Sequence, residues 1–184
     1  MTICKSGIPY LTHVWNPVVG CNRGCSYCWA ERFYATRGQG LKCELCRKFI
    51  PHVHPERLKV PGGKPKVIGV GFMTDLFHPP CKGMTYAHAF GVWTRMIAAL
   101  IAKHPEHVFV TVTKCPEGVP DLDGSTGLTT GWPENWYVGA TCTTQAEVDE
   151  RVPKLLRRGV KHPFLNLEPL CERVGLPTDG ETFS

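Results

Sequence analysis

Cys21-Asn22-Arg23-Gly24-Cys25-Ser26-Tyr27-Cys28 sets three thiols in a CxxxCxxC pattern within eight residues, directly after a short apolar segment, and the rest of the chain reads as scaffold around it. Three thiolates this close can hold three irons of a cubane 4Fe-4S cluster, whereas a four-cysteine electron-transfer cluster needs a further ligand. The remaining iron is then open to a substrate or cofactor, which points to chemistry at the cluster and away from electron storage. A zinc site, a disulfide set and a ferredoxin-like cluster completed by one of the other seven cysteines are the competing readings. Zinc sites usually pair two separated knuckles, and a contiguous CxxxCxxC suits a tetrahedron poorly.

Trp15-Asn16-Pro17 leads into this stretch, and the aromatic Tyr27 immediately precedes its last cysteine. With CNRGCSYC, these residues resemble the cluster motif of the radical S-adenosylmethionine (SAM) superfamily. His54-Pro55-Glu56-Arg57-Leu58, Gly71-Phe72-Met73-Thr74-Asp75-Leu76-Phe77-His78, Val112-Thr113-Lys114 and Leu167-Glu168-Pro169-Leu170 are similar to a phage-associated branch of short radical SAM proteins. The likeness spans most of residues 12–171. It implies a partial, TIM-like (βα) barrel with parallel strands. The sequence departs from the six βα units usual in the superfamily, so either the barrel is unusually open or its last βα unit is missing and that edge is supplied by a partner.

The resemblance also implies that SAM chelates the open iron and that an electron donor such as flavodoxin or ferredoxin drives reductive cleavage. The resulting 5′-deoxyadenosyl radical abstracts hydrogen from a substrate. The cofactor then carries the difficult chemistry, while the protein positions it. By the same resemblance Tyr27 lies near the adenine, Gly71, Thr74 and Asp75 line the methionine amino end, and Thr141 and Thr143 meet the ribose hydroxyls. Lys114 and Glu168 complete the cofactor-binding set. Local structure offers two of these residues another role: Gly71 in tight strand-end packing, Asp75 as a turn cap. Members of the branch often lie beside a three-Cys-motif partner protein, so association with such a partner is implied too.

At 184 residues and 42% apolar content, residues 1–184 are expected to form one domain with its own core. Lys+Arg of 21 against Asp+Glu of 16 gives a net charge of +5, which reads either as a solvated surface or as attraction to nucleic acid. Basic residues gather at Lys59, Lys64 and Lys66 and at Lys154, Arg157, Arg158 and Lys161, without an RNA-binding signature. The first fifteen residues carry no apolar core flanked by positive charge, and no stretch approaches the ~18 apolar residues of a membrane span. A cytoplasmic protein is expected, and in a reducing compartment its ten cysteines are better explained by metal or cluster binding than by disulfides.

Along the chain, strands are expected at 11–15, 66–72, 108–112, 136–140 and 164–167. Lys66–Phe72 has the almost continuous apolar character of a parallel strand covered on both faces. Helices are expected over 29–36, ending at Gly38, and over 85–103, with Tyr86, Ala89, Phe90, Trp93, Met96, Ile97, Leu100 and Ile101 as the core stripe. A third opens with a Thr144/Glu147 capping box and closes near Gly159, with Pro153 expected to kink or restart it. Residues 115–135 read as a loop and 172–184 as a tail. Alternating strands and helices predict an α/β fold with a parallel sheet.

Residues 38–65 lack periodicity and are long for an unsupported connection. Within them Cys43, Cys46, His52 and His54 form a CxxC and an HxH, ligand types that zinc accepts, with Cys81 as an extra candidate. The alternative is a solvated loop with reduced thiols.

On the predicted strands, the cysteine loop, Thr74 and Asp75, Lys114, Thr141–Gln145 and Glu168 all fall at C-terminal ends, where barrel enzymes gather their chemistry. The expected activity is reductive SAM cleavage acting on an unknown substrate, with nucleic acid or a nucleotide the leading choice. A non-enzymatic iron-sulfur or zinc module that recruits a partner protein or nucleic acid is the alternative.

Overall fold

The computed structural model describes residues 3–60, 62–78, 87–122 and 131–176, with only the backbone of 87–90. Its strands are β1 (Ile3–Lys5), β2 (His13–Trp15), β3 (Val18–Val19), β4 (His52–Val53), β5 (Val67–Val70), β6 (Val108–Thr113), β7 (Trp136–Cys142) and β8 (His162–Leu167). The helices are α1 (Trp29–Thr36), α2 (Glu44–Arg47), α3 (Ala87–Ala102) and α4 (Gln145–Leu156). The five expected strands and three expected helices are all present, with ends shifted by a few residues.

Six strands form one sheet in the order β1-β2-β5-β6-β7-β8. From β2 to β8 every pairing is parallel, so each parallel strand lies beside the next parallel strand of the chain. β1 pairs antiparallel with β2 and forms one edge. β8 forms the other, and no closed barrel is made among the described residues. A second, two-stranded sheet joins β3 to β4.

Strand alternation sorts β6 and β7 into two faces. Trp136, Val138, Ala140 and Cys142 of β7 are fully buried, as is Phe109 of β6. They join Trp15, Ile68 and Val70 and the helical residues Ile97, Ala98, Ile101, Val148, Val152 and Leu155 in the main core. On the other face Tyr137 is exposed, stacked at 4.4 Å on His162, and Gly139 lies beneath the Phe164 ring. β5, expected to be covered on both faces, is buried at Ile68, Gly69 and Val70, whereas β8 at the edge is half-buried along most of its length.

The stripe of α3 is rotated from the expected one. Thr94, Ile97, Ala98 and Ile101 are buried, while Met96 is 39% exposed. Tyr86, Ala89 and Phe90 lie outside the described side chains.

α4 runs unbroken through Pro153, so the helix does not restart there. Its cap differs from the expected box. Thr144 accepts the Glu147 N–H at 3.3 Å, but the Glu147 carboxylate reaches back one residue further, accepting from the Thr143 N–H at 2.7 Å and hydroxyl at 2.9 Å. The start of the expected tail is tied to this helix: Glu172 accepts from the Gln145 N–H at 2.6 Å, and Gly175 N–H donates to the Gln145 side chain at 2.7 Å. Residues 177–184, and 123–130 of the expected loop, lie outside the described residues.

Candidate metal and cofactor sites

After β3 the chain turns at Gly20, whose φ of +91° is a conformation that L side chains rarely adopt. Gly20 is fixed by the turn that follows β5, its N–H donating to Met73 O at 3.0 Å and its carbonyl accepting from the Thr74 hydroxyl at 2.6 Å. Cys21 follows, half-buried; burial pushes its thiol above the ordinary value against opposing backbone hydrogen bonds. A turn closed by Cys28 N–H to Cys25 O at 3.0 Å then delivers Cys28 to the N-cap of α1, where its sulfur accepts the Glu31 N–H at 3.4 Å. Cys25 sits on the outer bend of this loop, with Lys114 Nζ 3.6 Å from its sulfur. The same ammonium stands 4.2 Å from the centroid of the Tyr27 ring.

The three thiols line one cavity of about 390 Å³, within the range of small-molecule sites. It is walled by residues at or just beyond strand C-termini: Met73, Thr74 and Asp75 after β5, Val112–Lys114 at β6, Thr141 at β7, and Asn166 and Glu168 at β8. Among the described residues, the groups whose ligand atoms lie within 4.8 Å of one another do not include Cys21, Cys25 and Cys28. That spacing disfavours a single ion held by all three, and no disulfide joins any of the described cysteines.

Tyr27, Thr74, Asp75, Lys114, Thr141 and Glu168 all reach the cavity, Glu168 at its exposed rim. Gly71 and Thr143 do not line it. Gly71, at φ +74°, makes the strand-end turn, and a Cβ there would stand 2.5 Å from the Leu76 side chain. The hydroxyl and N–H of Thr143 are both spent on Glu147. Asp75 is 8% exposed and heavily bonded. One oxygen accepts the Thr113 hydroxyl at 2.6 Å and the Phe77 N–H at 3.3 Å; the other accepts the Lys114 N–H at 2.8 Å. Its visible work is to join the end of β5 to the end of β6.

Sequence reasoning missed Asn166 and Arg23. Asn166 donates to the Thr141 hydroxyl at 3.3 Å, and Arg23, on the cavity wall, reaches the Cys115 sulfur at 2.7 Å. A strand register is needed to see the first, since Thr141 pairs with Asn166 across β7 and β8. Burial pushes the Cys115 thiol up to about 12. Several members of the second basic cluster are occupied locally, Lys154 with Glu150 at 2.6 Å and Lys161 with Glu134 at 3.1 Å.

The insertion builds a second centre. Cys43 N-caps α2, Cys46 lies inside it, and β4 carries His52. The four ligand atoms lie within 4.8 Å of one another. His52 Nε2 stands 3.3 Å from Cys43 Sγ, 3.4 Å from Cys46 Sγ and 3.0 Å from His54 Nε2, and Cys46 Sγ is 3.2 Å from His54 Nε2. A tetrahedron with bonds of about 2.0–2.3 Å has edges of about 3.3–3.8 Å, so the atoms stand near ligating spacing. His52 Nδ1 donates to Ile50 O at 2.7 Å and His54 Nδ1 to Glu56 Oε1 at 2.9 Å. Both protons are therefore on Nδ1, leaving two bare Nε2 lone pairs facing each other and two sulfurs, an arrangement that a cation holds together. Burial, helped by Arg57 and His52, keeps the His54 pKa below its ordinary value, so the ring stays in its neutral ligand form. This group can hold a metal ion. Cys81 lies outside the described residues.

Among the described residues, no helix is long and apolar enough to cross a membrane. No curated protein and no solved structure gives a match to the chain. Residues 5–179 match the family described as DUF5131, a protein of unknown function, and the chain belongs to that family.

Proposed function

We propose that the protein is a radical SAM enzyme whose 4Fe-4S cluster is held by Cys21, Cys25 and Cys28, and that its Cys43/Cys46/His52/His54 centre holds zinc. The observation that carries the first part is the position of the three thiols: they line one cavity together with polar groups from four strand ends. The parallel strands follow one another in chain order, which supports reading the sheet as an open portion of a (βα) barrel. The chemistry such a cluster supplies, when bound, is one-electron reductive cleavage of SAM to methionine and a 5′-deoxyadenosyl radical that takes hydrogen from a substrate. A flavodoxin- or ferredoxin-type donor provides the electron.

Within that scheme Lys114 offsets negative charge at Cys25. The Thr141–Asn166 pair offers a hydroxyl and an amide to a ribose, and the apolar Phe72 and Met73 exclude water from the wall. Nucleic acid or a nucleotide is the proposed substrate class, and a three-Cys-motif protein the proposed partner. For the second centre, two cysteine sulfurs and two imidazole nitrogens within 4.8 Å of one another are a donor set that zinc accepts.

The test is anaerobic reconstitution with iron and sulfide, then incubation with SAM and dithionite. About one cubane per chain is expected, lost when Cys21, Cys25 and Cys28 are all replaced by alanine, together with release of 5′-deoxyadenosine. Full iron and sulfide retention by that variant overturns the cluster assignment. A fully loaded parent that releases no 5′-deoxyadenosine, even with the partner added, favours a non-enzymatic binding module.

A further inference from the structure

We infer that the metal held by Cys43, Cys46, His52 and His54 is a positioning centre for the cluster loop: its binding fixes Gly20, Cys21 and the start of α1, and so controls whether a cluster assembles. The cluster half of this statement rests on the function proposed above; the mechanical half does not.

Three independent contacts join the two sites. Val19, two residues before Cys21, pairs with the metal ligand His52 in the small β3–β4 sheet. His54 N–H also donates to Pro17 O at 2.7 Å, so two consecutive ligands grip the segment entering the loop. Next, the backbones touch. A Cβ on Gly20 would lie 2.4 Å from both C and O of Ile50 and 2.7 Å from Phe49 O. Phe49 and Ile50 form the bridge between the ligands Cys46 and His52, and Ile50 O is the acceptor that orients the His52 ring. Finally, Cys46 and Phe49 share a small core with Val19 and with Ala30 and Tyr34 of α1, the helix capped by Cys28; Cys21, Cys28 and Cys43 pack against it.

That core is separate from the main one and contains five buried side chains. The insertion supplies Cys46, in the four-residue α2, and Phe49 to it, while Val60, with the partly buried Val53 and Leu58, joins the main core. These few apolar side chains weigh little against the entropy of ordering a segment whose regular elements are all four residues or shorter, and metal ligation adds directly to its order. What leans on the segment depends on it as well. Cys25 is the exception among the cluster ligands, because Lys114 and the local turn hold it. Metal binding in the insertion should therefore act on Cys21 and Cys28 and spare Cys25.

The first experiment uses the full-length, cluster-free chain with and without one equivalent of zinc. Hydrogen exchange of residues 17–34 should slow about tenfold or more on zinc addition, along with that of 41–58, and alkylation of Cys21 and Cys28 should slow severalfold more than that of Cys25. Protection confined to 41–58, or equal effects on the three thiols, overturns the proposal.

The second experiment reconstitutes the Cys43→Ser, Cys46→Ser double variant with iron and sulfide. Cluster content should fall severalfold although Cys21, Cys25 and Cys28 are untouched. Unchanged exchange across 136–156 would show that the body of the fold survives. His54→Cys in the otherwise native chain, which keeps four donors, should load like the parent, which separates loss of ligation from mere substitution at the site. Full loading of a metal-free double variant sinks the coupling. If the parent itself loads no cluster, the functional reading falls, while the exchange and alkylation comparison still decides the coupling.

Discussion

Asp75 shows how one carboxylate can look like a cofactor ligand and behave as a joint. Its residue type and strand-end position suit a cationic amine, yet its two oxygens already accept three hydrogen bonds from Thr113, Lys114 and Phe77. Asp75→Ala would strip the acceptor from buried donors, at about 1–3 kcal/mol for each one left unsatisfied. The expected outcome is a lower urea midpoint in the cluster-free protein, with Asp75→Asn in between; an unchanged midpoint would return Asp75 to a purely cofactor-binding role. Lys114 makes the opposite case. Its ammonium lies 3.6 Å from Cys25 Sγ, where a positive charge would stabilise the more negative, reduced form of the proposed cluster. Lys114→Met should lower the reduction potential by something on the order of tens of millivolts after solvent screening, and Lys114→Arg should largely preserve it. An EPR-monitored potentiometric titration reads this directly, and equal potentials in parent and methionine variant would remove the residue from the cluster environment.

At the scale of elements, α4 is held to the sheet by a charged clasp as well as by Val148, Val152 and Leu155. Arg151 donates to Thr141 O at 2.7 Å and to Glu147 at 2.5 Å, and Glu147 in turn accepts from Thr143. Burial alone would raise the Glu147 pKa; the Thr143 hydrogen bonds and the Arg151 charge outweigh it and hold the carboxyl below its ordinary value of 4.5. A depressed folded-state pKa contributes stability that is fully present above the unfolded value and is lost as pH falls through the folded one. The parent should therefore lose stability below about pH 4.5, and Glu147→Gln should flatten that acid limb in denaturation curves measured from about pH 6 down to about pH 3. Identical limbs would show that the clasp contributes nothing to the pH dependence.

For the whole molecule, metal binding and folding are linked. A ligand that binds the folded chain alone adds about 2.7 kcal/mol when its free concentration is a hundred times Kd. Zinc should raise Tm in a concentration-dependent way, and a strong chelator should lower it. Metal analysis of the purified protein should return about one zinc per chain, lost in the Cys43→Ser, Cys46→Ser variant. A Tm indifferent to both zinc and chelator would leave the insertion as a reduced, metal-free loop.

What the sequence determined by itself was whatever is written in short-range spacing. The CxxxCxxC loop, the CxxC and HxH ligand pairs, the order of five buried-type strands and three helices, and the placing of Thr74, Asp75, Lys114 and Glu168 at strand ends all follow from local pattern and period. Tertiary structure decided the rest, because it depends on pairings between distant residues. β1, β3 and β4 have two or three residues each, too few to show a period of two, so only their partners define them. The rotation of α3 toward Thr94 and Ala98 came from where the sheet lies, which a helical stripe with neighbouring apolar columns does not specify. The contact that matters most for the proposed chemistry, Gly20 against Ile50, links residues thirty positions apart. A glycine in a sequence announces freedom of the backbone; only the fold shows which backbone it was needed to admit.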